Sequence, residues 1–269
     1  MSAFWFRAKS FIQFYLNADT KYQLHSPFVF ELAETVLEDK RWYYAFRDIE
    51  RIRAQMLASN VGIEIRDYGT GQDRIEMLSK LVKRSSSSVK QGRMLFRMAN
   101  LFQPANMLEL GSSAGIGTMY LKAGSLHSQL LSLEGSEKLA ELARINLEIA
   151  GLENGTEVLA GAFEKTLLPA LRSLQNLDFV FVDGNHQMEA TLQYFEQCLS
   201  FAHEKTVFVF DDMHWSTDMK KAWSKIQAHD KISLTVDFYE LSLAFIDPAF
   251  KQKQHFRIVP SFWKIWKVF

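Results

Sequence analysis

The chain has 269 residues, 48% of them hydrophobic, enough to bury a full core and too apolar for a disordered segment. Its 31 basic residues balance 31 acidic ones, so it lacks the cationic excess of a broad nucleic-acid footprint, and no nucleic-acid partner is expected. Cys198 is the sole cysteine, which excludes an intrachain disulfide and a cysteine-built zinc site.

The first residues, Met1 to Lys9, break their apolar character with charge and show no small-residue cleavage pattern, and no apolar run is long enough to span a bilayer. A soluble cytoplasmic protein is expected. Up to about residue 60 the chain reads as helical. Phe11, Phe14 and Tyr15 share a helical face. Ser26-Pro27 has the chemistry of an N-cap followed by a first-turn proline, ahead of a stripe from Val29 to Leu37. A third helix, Trp42 to Leu57, carries Phe46, Ile49, Ile52 and Met56 on one side. Ile65 to Gly71 imitates a nucleotide-binding turn. It is followed by helical spacing (Ile75, Leu78, Leu81, Val82), four serines from Ser85 to Ser88, and a helix from Met94 to Leu101. With no strand ending in an acid after it, this stretch reads as a tight loop.

From residue 106 strands and helices alternate. The strands are Met107–Leu110, Leu130–Glu134, Thr156–Ala160, Leu177–Asp183 and Thr206–Asp211, nearly all apolar, as strands buried on both faces should be. Ser136 reads as an N-cap and Gly151 as a helix stop; Leu192, Phe195, Leu199 and Ala202 read as the inner face of one helix. Ile232–Val236 and Leu241–Ile246 stand only four residues apart, which demands an antiparallel hairpin. The expected fold is α/β, a doubly wound and mostly parallel seven-stranded sheet with a C-terminal antiparallel hairpin and an N-terminal helical extension.

Four strand ends carry chemistry, and ligands of open parallel sheets bind beyond such ends. The first runs into Gly111, Gly115 and Gly117, a turn that lets a ligand approach backbone amides at a helix start. The second ends at Glu134, placed to accept ribose hydroxyls. The fourth and fifth end at Asp183-Gly-Asn-His186 and Asp211-Asp-Met-His214. The glycine spacing is Gly-x-x-x-Gly-x-Gly rather than the dinucleotide Gly-x-Gly-x-x-Gly, and a dinucleotide needs no acids at the fourth and fifth strands.

Leu108-Glu-Leu-Gly-Ser-Ser-Ala-Gly-Ile-Gly resembles the first motif of class I S-adenosylmethionine-dependent methyltransferases. The similarity is closest to metal-dependent small-molecule O-methyltransferases of the catechol type and spans about Ser85 to Ile246. The phrase His25-Ser-Pro-Phe-Val-Phe also resembles a group of uncharacterised bacterial methyltransferase-like proteins. The resemblance implies that Gly111, Ser113, Gly115 and Gly117, with Glu109 nearby, line the methionine end of S-adenosyl-L-methionine. It implies that Glu134 holds the ribose and that Ala162 and Phe163 border the adenine. Ser87 falls where the family closes over the methionine; a flexible linker is the other reading of that serine run. Asp183, at the cofactor's edge, forms with Asp211 and Asp212 the places of a Mg²⁺ (or Mn²⁺) site, and three crowded carboxylates favour a cation on charge grounds alone.

Where the family often has a lysine base, this chain has His186, which puts catechol specificity in question. His186 is either the proton acceptor, with Asp183 beside it, or a partner of an aspartate. His214 is the weaker candidate, and His25 reads as structural or substrate-lining. The acceptor is expected to be a small hydroxylated molecule. Alternatives are an NAD(P)-dependent oxidoreductase, an RNA or protein methyltransferase, and a non-catalytic cofactor-binding module held at a membrane or partner. Expected boundaries are an N-terminal cap at 1–84, a methyltransferase domain at 85–250 and a tail at 251–269. The tail, Phe262 to Phe269, mixes aromatics with lysines: it packs on the aromatic N-terminus or a second subunit of a homodimer, or touches a membrane surface peripherally.

Overall fold

The structure, a computed structural model, describes residues 3–65 and 74–264. In chain order the elements are α1 (Ala3–Asn17), α2 (Pro27–Leu32), α3 (Tyr44–Leu57), β1 (Gly62–Ile65), β2 (Arg74–Met77), α4 (Leu78–Ser85), α5 (Val89–Phe102), β3 (Asn106–Leu110) and α6 (Ile116–Gly124). There follow β4 (Gln129–Glu134), α7 (Glu137–Ala150), β5 (Thr156–Ala160), α8 (Phe163–Leu174), β6 (Leu177–Val182), α9 (Met188–Leu199), β7 (Ala202–Asp211), α10 (Thr217–Ala228), β8 (Leu234–Asp237), β9 (Leu241–Phe245) and β10 (Gln254–Arg257). The chain forms two compact units, Arg41–Phe179 and Met1–Lys40 with Val180–Phe269, so that β6 has residues in both. Among the described residues, no helix is long and apolar enough to cross a membrane.

In the unit Arg41–Phe179 the sheet order is β6-β3-β4-β5, with β3, β4 and β5 parallel. Met107, Leu108 and Leu110 are fully buried, as the apolar run predicts. Asp178 holds the start of β3, its carboxylate accepting the amides of Ala105 and Asn106 at 2.9 and 2.8 Å. Helices α5 and α6 approach closely because Gly92 leaves room for the ring of Tyr120. The Tyr120 hydroxyl donates to Glu50 of α3 at 2.7 Å, and Glu50 in turn accepts from Arg53, so α3 is keyed to α6 through a part-buried polar contact. The expected helix at Ile75 is instead β2, paired antiparallel with β1 in a two-stranded hairpin. Ile75 is exposed there, so its helical spacing to Leu78 reflected no shared face. The stretch Ile65 to Gly71, read as a tight loop, lies outside the described residues beyond Ile65.

In the other unit the order is β10-β8-β9-β7-β6. Strand β9 inserts antiparallel between β8 and β7, which confirms the expected hairpin. The sheet has eight strands rather than seven: β10, Gln-His-Phe-Arg, runs parallel to β8 and is too short and polar to have signalled a strand. Ala202 opens β7 and does not belong to the inner face of α9, which Tyr194, Phe195, Cys198 and Leu199 fill. Ser26 caps α2 through the Val29 amide with Pro27 in its first turn, as expected. The two ends of the chain meet in this unit. Asp19 bridges to Ile258, Glu38 accepts from the amide and hydroxyl of Ser261 at 2.6 Å, and Lys264 donates to the Ala18 carbonyl at 2.6 Å. Trp263 stands edge-on to Phe11. The described part of the tail therefore packs on the aromatic N-terminus; residues 265–269 lie outside the described residues.

Candidate functional site

Both sets of candidate residues follow the carboxyl ends of strands, and each belongs to one unit. In Arg41–Phe179, β3 ends on a turn with Gly111 at φ 101° and Gly115 at φ 83°, both in the left-handed region that favours glycine. Between them Ser113 is held at φ 47° without being a glycine. The turn is clamped to β4: the amides of Gly111 and Ser112 donate to the Leu133 carbonyl, and that of Ser113 donates to Glu134 Oε2 at 2.8 Å. Glu134 Oε1 accepts the Ser136 amide at 2.9 Å, and the Glu134 carbonyl accepts the Gly161 amide at 2.8 Å. One residue thus ties together the three turns that follow β3, β4 and β5. Burial pushes the Glu134 carboxyl up, and the backbone amides of Ser136, Ser113 and Gly135 oppose that. Each carboxylate oxygen keeps a second lone pair for a ligand hydroxyl.

Gly115 serves as the N-cap of α6 and contributes no side-chain cap. The start of α6 therefore needs its acceptors from elsewhere, a ligand included. Gly117 lies buried in the first turn of α6. Ala162 is the N-cap of α8 and Phe163 its first residue, both half-buried. The serine run is not a loose linker. Ser88 caps α5 with a full capping box, Ser87 is buried, and Ser85 reaches the glycine turn, its hydroxyl 2.9 Å from that of Ser113. The resemblance points to Ser87; the hydroxyl that meets the turn here is that of Ser85, at the end of α4.

Glu109 lies behind the turn rather than in it. It is fully buried, and its Oε2 accepts the hydroxyls of Thr118 and Ser132, both at 2.5 Å. Burial pushes its carboxyl up to about 7, against those two hydrogen bonds. The side chain braces β3 to β4 and α6.

In the other unit, Asp183 follows β6, and Asp211 ends β7 with Asp212 next. Asp211 is buried and accepts the Asp212 amide at 2.8 Å. Asp212 sits at φ 56°, and its Oδ2 lies 3.9 Å from His186 Nδ1. Burial raises the Asp212 carboxyl, while His186 and Arg7 lower it. Among the described residues, no three His, Cys, Asp or Glu side chains converge to hold a metal ion. Asp183, Asp211 and Asp212 share strand ends, as expected, yet not a ligand geometry. His214 is committed elsewhere. Its Nε2 lies 2.8 Å from the buried Asp237, its ring stacks on Tyr239, and Phe14 meets it edge-on.

Six non-glycine residues have positive φ among the described residues. Gln103 and Gln175 cap helices, and Tyr239 turns the β8–β9 hairpin. The other three, Ser113, Asn185 and Asp212, follow β3, β6 and β7. Such strain concentrates at functional turns, and Asn185 lies inside the Asp183–His186 phrase that ends the fourth strand of the sequence reading.

The parallel strands, the reversed hairpin and the glycine turn clamped by an acid define a class I methyltransferase fold. Residues 108–213 match the family model for a methyltransferase domain. A catechol O-methyltransferase of Mycobacterium tuberculosis is 32% identical over 136 residues, covering 48% of this chain and 58% of that protein. One from Niastella koreensis is 30% identical over 131 residues, with the same coverage of each. The chain thus spans a little over half the length of these relatives. Among solved structures, an O-methyltransferase from Bacillus cereus in complex with SAH superposes at a TM-score of 0.53 and 21% identity, covering 80% of this chain and 96% of that one. TomG from Streptomyces achromogenes, in complex with SAM, gives 0.51 at 22%, covering 61% and 82%. At these identities the structures show the shared fold.

Proposed function

We propose that this chain transfers the methyl group of S-adenosylmethionine to a hydroxyl oxygen of a small molecule. The observation that carries the reading is Glu134 at the end of β4, bonded to the amides of Ser113 and Ser136 beside the left-handed glycine turn. Glu134 then receives the ribose hydroxyls, Gly111, Ser113 and Ser85 border the methionine end, and Ala162 and Phe163 border the adenine. The relatives named as catechol O-methyltransferases favour a hydroxylated aromatic acceptor.

The sulfonium already activates the methyl group, so the protein's task is to align the reactants and take up a proton. The methyl–sulfur bond breaks as the oxygen–methyl bond forms, leaving S-adenosylhomocysteine, the methyl ether and a proton. His186 is the acceptor in this reading. Its Nδ1 faces Asp212, which leaves Nε2 to take the proton, and Asp212 steadies the imidazolium that results. Mg²⁺ or Mn²⁺ at Asp183, Asp211 and Asp212 would acidify the hydroxyl, but those donors do not converge and no step is drawn through a metal.

The test is transfer of labelled methyl from S-adenosylmethionine to a panel of small catechols and phenols, with and without Mg²⁺. His186→Ala should lower kcat by about 10²-fold or more and leave cofactor affinity unchanged. Undiminished turnover in that variant would remove His186 from the reaction. An absolute requirement for Mg²⁺ would restore the carboxylates as ligands.

A further inference from the structure

Helix α7 packs against the glycine turn, and one residue of its buried face is out of character there. The side chains that α7 buries are Leu139, Ala140, Ala143, Asn146 and Leu147, so Asn146 is the single polar member of that seam. It is 4% exposed. A carboxamide is costly to bury unless its polar atoms are bonded, and a leucine of similar size would suit an apolar seam better. Asn146 is bonded. Its Nδ2 donates to the Ala114 carbonyl at 2.8 Å and meets Met56 Sδ of α3 at 3.2 Å. A carbonyl only accepts, so the amide nitrogen is the atom that must face Ala114.

The acceptor of this bond lies inside the turn itself. Ala114 is fully buried, and its carbonyl shares a peptide plane with the Gly115 amide. That amide donates to the Ser112 carbonyl at 2.8 Å. The Ala114–Gly115 peptide is therefore pinned at both polar atoms, at one by the turn and at the other by α7. Its orientation decides where the chain goes next, because Gly115, at φ 83°, is the N-cap from which α6 starts. The same stretch of α7 sets how closely the turn seats. Ala143, three residues before Asn146, is what a Cβ on Gly115 would meet, at 3.0 Å. Released from Asn146, the peptide can rotate about the soft dihedrals on either side of it, and the first-turn amides of α6 lose their fixed aim.

We propose that Asn146 is a positioning residue for the cofactor: it holds the Ala114–Gly115 peptide so that the turn and the start of α6 meet S-adenosylmethionine already in their bound arrangement. This rests on the reading that the glycine turn takes that cofactor. Asn146 touches no reacting atom in this role. Without it the turn has to be ordered as the cofactor binds, so the loss falls on cofactor affinity.

The test is titration calorimetry of the full chain and its variants with S-adenosylmethionine, alongside amide hydrogen exchange at residues 111–117. Asn146→Leu keeps the size and removes the donor, whereas Asn146→Asp keeps the shape and sets a carboxylate against the carbonyl. Both should bind the cofactor roughly tenfold more weakly, the worth of one such bond. Both should also exchange the turn amides faster before cofactor is added. Leu147→Ala, a buried change on the same helix, should lower the melting temperature yet keep the parent's affinity. If Asn146→Asp fails to fold, Asn146→Leu, apolar in an apolar seam, carries the test. The inference falls and the cofactor reading stands if the parent binds and Asn146→Leu binds equally well, or if Leu147→Ala weakens binding as much. No binding by the parent chain removes the cofactor reading and this inference together.

Discussion

Glu109 shows how a residue of the glycine-turn motif can serve the fold. Its carboxyl, pushed up to about 7, stays protonated in the folded chain at pH values where the unfolded chain, near 4.5, has already ionised. Stability from this group is therefore full below pH 4.5 and is lost as pH rises through about 7. That difference corresponds to about 3 kcal/mol at most. Glu109→Gln keeps an oxygen for the Thr118 and Ser132 hydroxyls and removes the titration. Denaturant melts from pH 4.5 to 8 should show a flatter profile for the variant and greater stability than the parent at pH 8; parallel profiles would contradict this. The sequence placed Glu109 in the right motif but could not tell which way its side chain faced. The same limit explains the acids: spacing puts Asp183, Asp211 and Asp212 at strand ends, whereas backbone angles decide whether they converge. The Asp212 φ of 56° is not written in residue type. Ser85 was missed for the related reason that contact with Ser113 depends on the pitch of α4.

At the scale of elements, the buried parallel strands were legible because being covered on both faces demands unbroken apolar runs, as in Leu177 to Val182. The β1–β2 and β10 strands were not, being four residues each and half-exposed, with no such demand on composition. The glycines divide in the same way. Gly115 has φ 83°, and a Cβ there would meet Ala143 of α7 at 3.0 Å, so backbone and packing both require it. Gly151 has φ 67° with nothing within 4 Å, so only the backbone requires glycine. Gly151→Ala should cost about 1 kcal/mol, the ordinary penalty of a left-handed non-glycine residue. Gly115→Ala should cost about 2–4 kcal/mol, strain and overlap together. Urea titrations of the two variants check the order; equal losses would mean that α7 yields freely to the added methyl.

At the scale of the whole molecule, the sequence resemblance covers the stretch that carries the glycine turn and leaves the N-terminal helices without a motif. The family model covers residues 108–213, and the chain outside it supplies α1 to α5, the hairpin β1–β2 and the strands after β7. Those parts follow packing rules rather than shared motifs, so composition alone gave them only as helices and a tail. The tie between Glu38 and Ser261 and that between Ala18 and Lys264 join segments more than 220 residues apart, which no local pattern could announce. The central claim is that the glycine turn and Glu134 hold S-adenosylmethionine. Titration calorimetry of the full chain with that cofactor tests it most directly. The account predicts one cofactor per chain with a dissociation constant on the order of micromolar to tens of micromolar. It also predicts binding at least tenfold weaker in Glu134→Ala and unchanged in Asp211→Ala. No heat at high micromolar S-adenosylmethionine, with binding of NAD(P) in its place, would contradict it.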